Sequence, residues 1–429
     1  MTARVRFNTL QQWLDWQQSL HPKSIDLGLE RVSAVLDRLG LERPADCVLT
    51  VGGTNGKGSV VAYLDAILRA AGFSVGTFTS PHLIRYNERI RIQGRSVADD
   101  RIMRSFERID AARGDVSLTF FEWNAVAALL LLDEAGVEVA VLEVGLGGRL
   151  DAVNAVDADV AAVVSIGLDH CDWLGPTLEQ IGREKAGIFR AGRPAIFGAR
   201  NMPWSVAQAA TDIGARLKRL GVDFDCVERP DGWDYVGTGS RRRELPLPGL
   251  AGAAQLANAA TALAVLEAAE PRLLVPDEAV RAGLSRATLA GRFQVLPGTP
   301  EWVLDVAHNA DAARVLAQGL AMLPHPRRTI AVCGMLADKD TAAVVGAMRD
   351  TVDTWIAVGV DGPRALHADE LRARIAAVTD APVAQEVDVM AGCARAREMA
   401  QPGDRAVVFG SFHTVGPALE WLGLAAEAG

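Results

Sequence analysis

Several architectures are excluded by what this chain lacks. Its five cysteines, Cys47, Cys171, Cys226, Cys333 and Cys393, are odd in number and scattered, with no CxxC pair. That rules out a disulfide framework and a paired-thiolate zinc site, and it points to a reducing compartment. The longest apolar run, Ala125 to Leu132, falls far below the roughly 20 residues that a membrane span requires. At the N-terminus, MTARVRFNTL carries arginines with no apolar stretch behind them, so the expected location is the cytoplasm, with no membrane partner. Basic charge is also in deficit, with 44 Lys and Arg against 53 Asp and Glu and a net charge of −9. A general nucleic-acid binder needs the opposite balance, so no nucleic-acid partner is expected, although a small anion can still be held locally. Internal repeats and low-complexity segments are absent, and no Ser/His/Asp or Cys/His arrangement points to a protein nucleophile.

What is present is an ordinary globular composition, 49% hydrophobic and 23% charged. At 429 residues the chain exceeds what one core usually serves, so two domains are expected. Strand-like segments (48–51, 75–78, 139–144, 160–166) alternate with helical ones (58–71, 122–135), the signature of α/β layering on a parallel sheet. A charged region, Val227 to Pro248, holds the run Arg241, Arg242, Arg243 and reads as a solvated loop or hairpin. After a small-residue helix at 251–269, LPGTPE at 296–301 is the candidate linker. A second α/β series follows, with strands at 302–307, 329–334, 354–359 and 405–412. The expected fold is therefore α/β. A P-loop mononucleotide-binding domain with a mostly parallel sheet covers 1–296, and a smaller Rossmann-like α/β domain covers 297–429.

The stretch TVGGTNGKGSVVAYLDAILRAAG runs from Thr50 to Gly72 and joins a strand to a helix through a glycine-rich turn with Lys57 at its mouth. Such a turn presents backbone N–H groups and the positive end of a helix dipole to a polyphosphate. It departs from the common G-x-x-x-x-G-K-[ST] form, because Val51 takes the first glycine position and Gly58 separates Lys57 from Ser59. Nucleotide chemistry at such a turn calls for Mg²⁺, which takes oxygen donors and keeps several waters. Three strand ends supply candidates: Ser80 in FTSPHL, Glu143 in VLEVGLGGRLDA, and Asp169 with His170 in IGLDHCDWLG. Topology brings all three to the carboxyl edge of the sheet, beside the turn. Each also has a plainer reading: Ser80 as a cap before Pro81, Glu143 paired with Arg149, His170 as a loop histidine. Lys185 in GREKAGIF reads, on its own, as a surface partner of Glu184.

Taken in order, GTNGKGS, SPHLIRYNERIRI, LEVGLGGRLDA, GLDHCDWLG, REKAGI, GRF, DVAHN and GSFHTVG resemble the folylpolyglutamate synthases, specifically the bacterial bifunctional form that is also dihydrofolate synthase. The motifs run from Thr50 to Gly416, nearly the whole chain. A Mur ligase would share the turn and a DVAHN-like segment but would carry a further domain ahead of the turn, where only about fifty residues stand here.

The resemblance implies a Mg²⁺ATP-dependent amide ligase. A pterin carboxylate takes the γ-phosphoryl group, and the amine of L-glutamate displaces phosphate from the acyl phosphate. It assigns Thr54, Asn55, Gly56, Lys57, Gly58 and Ser59 to the triphosphate, and Asn258, Arg292, Asp305 and His308 to further nucleotide contacts. Ser80, Glu143 and His170 match magnesium ligands, with two ions expected. Lys185 matches a lysine carbamylated in the family, and Lys57, His170 and Lys185 are the expected catalytic groups. Ser24, Ile25, Asp26 and Leu27, then Thr119, Phe120 and Phe121, then Leu150, Asp151 and Ala152 match the pterin-side contacts. There an aromatic and aliphatic surface suits a flat ring, while Asp26 or Asp151 suits its N–H donors. Phe120 and Phe121 also read as plain core residues, with opposite sides if the stretch is extended. Ala310 stands where the family often has proline.

The expected partners are small molecules (dihydropteroate, reduced folates, L-glutamate and ATP), and the expected assembly is a monomer. The nearest alternative is a monofunctional folylpolyglutamate synthase. More distant ones are a nucleotide-binding regulatory module and a P-loop kinase, the latter disfavoured because no Ser or Thr directly follows Lys57.

Overall fold

The structure, a computed structural model, describes residues 6–362 and 364–424. The first five residues of the N-terminal arginine-bearing stretch lie outside the described residues. An eight-stranded sheet carries the first lobe: β1 (Cys47–Gly52), β2 (Val75–Phe78), β3 (Ile90–Ile92), β4 (Arg95–Ser96), β5 (Val139–Glu143), β6 (Val160–Val163), β7 (Pro194–Phe197) and β8 (Arg216–Arg219), in the order β4-β3-β2-β5-β1-β6-β7-β8. Every residue of β1 is buried, as a central parallel strand covered on both faces requires. It pairs in parallel with β5, Thr50 opposite Leu142, and with β6, Thr50 opposite Ala161. The chain leaves β1 toward β2 on one side and returns to β6 on the other, so a crevice opens at the carboxyl ends of these strands.

The helix Lys57–Ala70 lies against one face of this sheet, burying Val60, Val61, Leu64, Ile67 and Leu68. It is clamped from outside by the helices Gln255–Ala268 and Asp277–Arg286. Gly283 permits the second crossing, because a Cβ there would sit 2.4 Å from Ile67 Cα. The other face of the sheet is covered by helices including Leu10–Leu20, Glu30–Leu39 and Phe120–Glu134, around the fully buried Trp13, Phe106 and Trp123.

The charged region forms a three-stranded antiparallel sheet, β9 (Asp225–Arg229), β10 (Gly232–Val236) and β11 (Arg241–Leu245). It is a packed element, because Trp233 and Tyr235 enter the main core and buried Asp234 pairs with Arg229 and Arg241.

The second lobe is a six-stranded sheet in the order β12-β13-β17-β14-β15-β16, formed by β12 (Gln294–Leu296), β13 (Glu301–Asp305), β14 (Arg328–Cys333), β15 (Thr354–Val358), β16 (Val383–Glu386) and β17 (Asp404–Phe409). All its pairings are parallel except β12 with β13. The segment 296–301 is therefore not a linker: it is the turn of the β12–β13 hairpin, inside the second sheet. A division at 296/297 cuts that hairpin, and the chain's single passage between the sheets lies upstream of Gln294. Pro and Gly punctuate a hairpin as readily as a linker, which is why composition misplaced it. No helix among the described residues is long and apolar enough to cross a membrane.

Gly283→Val should force the clamping helix away from the helix Lys57–Ala70. The expected cost is about 1–3 kcal/mol of overpacking, read as a lower urea midpoint than wild type.

Candidate active site between the lobes

A cleft of about 990 Å³ opens where the carboxyl ends of both sheets face each other, and every candidate binding, metal and catalytic residue expected from the sequence lines it. The turn Gly53–Gly56 follows β1 directly. Gly53 (φ +139°) and Gly56 (φ +86°) need backbone angles that L side chains avoid, and a Cβ on Gly56 would lie 2.7 Å from Asn258 Oδ1. The turn is braced from the segment after β6: Asn55 N–H donates to Ser165 Oγ (3.0 Å), and Gly167 N–H donates to Thr54 Oγ1 (3.0 Å). Ser59 Oγ accepts from Gln255 Nε2 at 3.4 Å. The Thr54 and Ser59 side chains thus hold the loop and its helix in shape, while the backbone N–H groups at the mouth of the helix face the cleft.

Lys57 folds back on its own loop, donating to the carbonyls of Gly53 (3.1 Å) and Thr54 (3.3 Å). Lys185 donates to the same Gly53 carbonyl at 3.1 Å. The expected surface pair with Glu184 is not formed: Glu184 goes to Arg149 at 2.9 Å, and Lys185 is only 5% exposed on the helix Leu178–Ala186. Adjacent residues on a helix point about 100° apart, so Glu184 reaches solvent where Lys185 cannot. Burial, and then the nearby Lys57 charge, push the Lys185 amine down to about 7.

Glu143, the last residue of β5, is 4% exposed and accepts the Ser80 backbone N–H at 3.3 Å. Arg149 is committed to Glu184, so the Glu143–Arg149 pair is excluded as well. Burial raises the Glu143 pKa, opposed by Lys57 and Arg292. His170, in the left-handed region at φ +52°, sits at the start of a short helix, and burial lowers its imidazole to about 4, so the ring is neutral with a lone pair free to bind a cation.

Among the described residues no three His, Cys, Asp or Glu side chains cluster closely enough to hold a metal unaided. A serine, a buried carboxylate and a neutral imidazole around a phosphate turn nevertheless fit a hard divalent ion whose remaining ligands are water and phosphate oxygens.

From the second lobe, Asp305 at the end of β13 accepts N–H bonds from Phe293 and Ala307, both 2.8 Å. Arg292 reaches into the cleft with its guanidinium 5.0 Å from the Phe412 ring, and its buried Nη1 has no partner in the protein. An orphaned buried donor of this kind calls for an anionic ligand. Asn258 Nδ2 donates to Gln255 Oε1 at 3.2 Å, at the back of the turn.

At the other end of the cleft, Thr119 caps the helix Phe120–Glu134 through a capping box with Glu122. Phe120 and Phe121 are therefore first-turn helical residues, not an extended stretch, and both line the cleft. The Phe121 ring covers Gly145, where a Cβ would come within 2.4 Å of it. Arg31 ties this corner together by pairing with Glu122 (2.8 Å) and Asp26 (2.8 Å), and Lys23 also holds Asp26 at 3.0 Å. Asp151 accepts N–H bonds from Leu146 (2.8 Å) and Val153 (3.0 Å), and burial raises it to about 6. Ser24, Ile25 and Leu27 approach from the loop before the helix Glu30–Leu39, and Leu150 and Ala152 flank Asp151.

Two cleft residues, Arg89 and Lys339, were not singled out in the sequence. Arg89, 7% exposed, donates to His82 Nδ1 at 2.8 Å and has no acidic partner within salt-bridge distance among the described residues. Lys339 and Asn309 both contact Asp169. Arg89 stands among Arg85, Asn87, Glu88 and Arg91 in a charged stretch, so its burial had no local signal. A lysine between two aspartates in a loop, as Lys339 is, looks like any solvated charge.

A glycine turn on a parallel sheet facing a second α/β lobe is the architecture of the Mur ligases, and two family models match accordingly: "Mur ligase middle domain" over residues 51–213 and "Mur ligase, glutamate ligase domain" over residues 291–412. Over 412 residues the chain is 46% identical to the Escherichia coli dihydrofolate synthase/folylpolyglutamate synthase, covering 96% of this chain and 95% of that one. The chain belongs to the dihydrofolate synthase/folylpolyglutamate synthase family. Its structure is similar to that of the Escherichia coli protein in complex with DHPP and ADP, with TM-score 0.93, 45% identity, and 97% and 98% of the two chains covered. A bifunctional folylpolyglutamate synthase/dihydrofolate synthase with Mn, AMPPNP and L-glutamate bound gives TM-score 0.91 at 45% identity, covering 99% of this chain and 100% of that one.

The Lys185 amine gives a measurable stability signature. With a folded value of about 7 against an ordinary 10.5, the unfolded chain binds a proton between these limits that the folded chain does not, so stability should rise with pH across that window. Below pH 7 both states are protonated and the cost of the buried cation is fully present. Lys185→Met in CO₂-free buffer should flatten that rise and be more stable than wild type at pH 6, as read by urea unfolding at a series of pH values.

Proposed function

We propose that this chain forms the amide bond between L-glutamate and 7,8-dihydropteroate, giving dihydrofolate, and adds further glutamates to reduced folates, each addition driven by ATP through an acyl phosphate. The observation that carries the reading is the meeting of the phosphate turn, buried Glu143 and the partnerless Arg292 guanidinium in one cleft. Relatives bound to ADP, DHPP, AMPPNP, Mn and L-glutamate support the same assignment. A carboxylate is a poor acyl donor because its leaving group is oxide, and phosphorylation supplies a better one. The protein then has to position the reactants, neutralise charge and exclude water.

In this reading the N–H groups from Thr54 to Ser59 and the Lys57 ammonium hold the triphosphate, with Lys57 leaving its loop carbonyls for phosphate oxygens. Asn258, Arg292, Asp305 and His308 hold the rest of the nucleotide. Ser80, Glu143 and His170 hold Mg²⁺, in two sites, and its charge offsets that of the phosphoryl group in transfer. The pterin lies between the Phe120–Phe121 corner, Ser24–Leu27 and Leu150–Ala152. Asp151, whose carboxylate stays near its titration range, is better suited than the doubly paired Asp26 to accept from ring N–H groups.

Lys185 carries a carbamate. Its amine, near 7, is largely neutral at cellular pH, and the neutral amine adds to CO₂ with loss of one proton. The product replaces an amine with an anionic oxygen donor beside the metal site. The active unit is a cytoplasmic monomer: one chain supplies both walls of the cleft, and all five cysteines are free.

Purified protein with ATP, Mg²⁺, L-glutamate and 7,8-dihydropteroate should yield dihydrofolate, with one ADP and one phosphate per amide. Lys57→Ala should lower kcat/KM by ~10²-fold or more. Product from reduced folates but none from dihydropteroate would make the enzyme monofunctional. Under ¹³C-bicarbonate, wild type should show a carbamate carbon resonance that is absent from Lys185→Arg, and a wild-type spectrum without it would remove the modification.

A further inference from the structure

Beside the apolar packing of Leu83 and Ile84 on the second lobe, the polar contacts between the lobes converge on one carboxylate. Asp169, in the segment after β6, has a side chain only 8% exposed, and it accepts from three groups of the second lobe. Lys339 Nζ lies 2.5 Å from Oδ1, while His308 Nε2 at 3.1 Å and Asn309 Nδ2 at 3.2 Å address Oδ2. Lys339 is as buried as its partner, at 8%. His308 and Asn309 form the loop after β13, where Asn309 caps the helix Ala310–Met322, and Lys339 comes from the loop after β14. The Asn309 amide also exchanges two hydrogen bonds with the Asn55 amide on the phosphate turn, 3.1 and 3.2 Å. Two loops of the second lobe are thus anchored at a single point, one residue before His170 and against the turn that carries Lys57.

This arrangement is directional. The Asp169 oxygens face only donors, and His308 Nδ1 faces the Val306 carbonyl at 2.9 Å, which fixes the ring plane. A carboxylate flanked by an ammonium, an imidazole and an amide is a strong, charge-assisted contact when buried, and removing one partner leaves the others uncompensated. We propose that Asp169 is a positioning residue that registers the second lobe over the phosphate turn during turnover, so that water is kept from the acyl phosphate until the amine attacks. The inference rests on the acyl-phosphate reading above.

The consequence is a coupling defect. With the clasp broken, water replaces the amine at the acyl carbon. The bond to the phosphate oxygen breaks, carboxylate and phosphate leave with loss of a proton, and the net reaction is ATP hydrolysis. In Asp169→Asn, which keeps the shape of the side chain, phosphate released per amide formed should rise from about one to roughly threefold or more, because the reacting centre is no longer closed to water. ATP affinity should change less than the amide-forming kcat. Lys339→Met should raise the ratio similarly, and the double variant should be no worse than the more severe single, since both substitutions break one contact. Asn309→Ala, which keeps both charges, provides a milder third variant should either of the others fail to fold. An unchanged phosphate-to-amide ratio in folded variants overturns the proposal, as does a loss of kcat with the ratio still at about one. Wild-type protein that forms no amide at all would instead overturn the assigned reaction, so the two failures are distinguishable.

Discussion

Ionisable side chains buried without full partners are the constraint around which this cleft is organised. Glu143, Lys185 and Arg89 are each at most 7% exposed, and Arg292 keeps a buried N–H without an acceptor. Burial moves Glu143 up and Lys185, Arg89 and Arg292 down, each toward its neutral form. A folded chain tolerates such a set only where the surrounding scaffold holds it in place and a charged ligand later completes it. The scaffold here is the parallel sheet, whose fully buried central strands fix Glu143 at the end of β5, with Lys185 held on the packed helix Leu178–Ala186.

Rigidity is unevenly distributed about the cleft. The turn is pinned by Ser165 and Gly167, and its helix is clamped by two others, one of them at a glycine contact. The pterin-side corner is held by Arg31, which reads both Asp26 and Glu122. Lys57 is held only by carbonyls of its own loop, which an incoming phosphate outcompetes through its charge. The walls are fixed, and the groups that change partners are long side chains.

The α/β order, the phosphate turn and the cleft residues Ser80, Glu143 and His170 were legible in the sequence, because each ends or follows a strand at the carboxyl edge of the sheet. Arg292 and Asp305 were reached only through the family resemblance of GRF and DVAHN. Lys185 was not legible, since its burial comes from a turn more than a hundred residues away. The hairpin at 296–301 was misread because Pro and Gly mark a reversal without saying which sheet its arms join. The helix over 122–135 was expected from the sequence and begins two residues earlier, at Phe120, as the Thr119–Glu122 spacing of a capping box allowed. Lys339 gave no signal, because its partner comes from the opposite lobe, and Asn309 stood inside the DVAHN motif without its contact to Asp169 being readable.

The chain passes between the two sheets only once, upstream of β12. Two bodies joined by a single covalent thread can twist as well as bend, whereas a second thread would leave only a hinge. The backbone therefore limits how far apart the halves can lie but not their rotational alignment, and that alignment rests on side chains of both halves, Asp169 and Asn55 on one and His308 and Asn309 on the other.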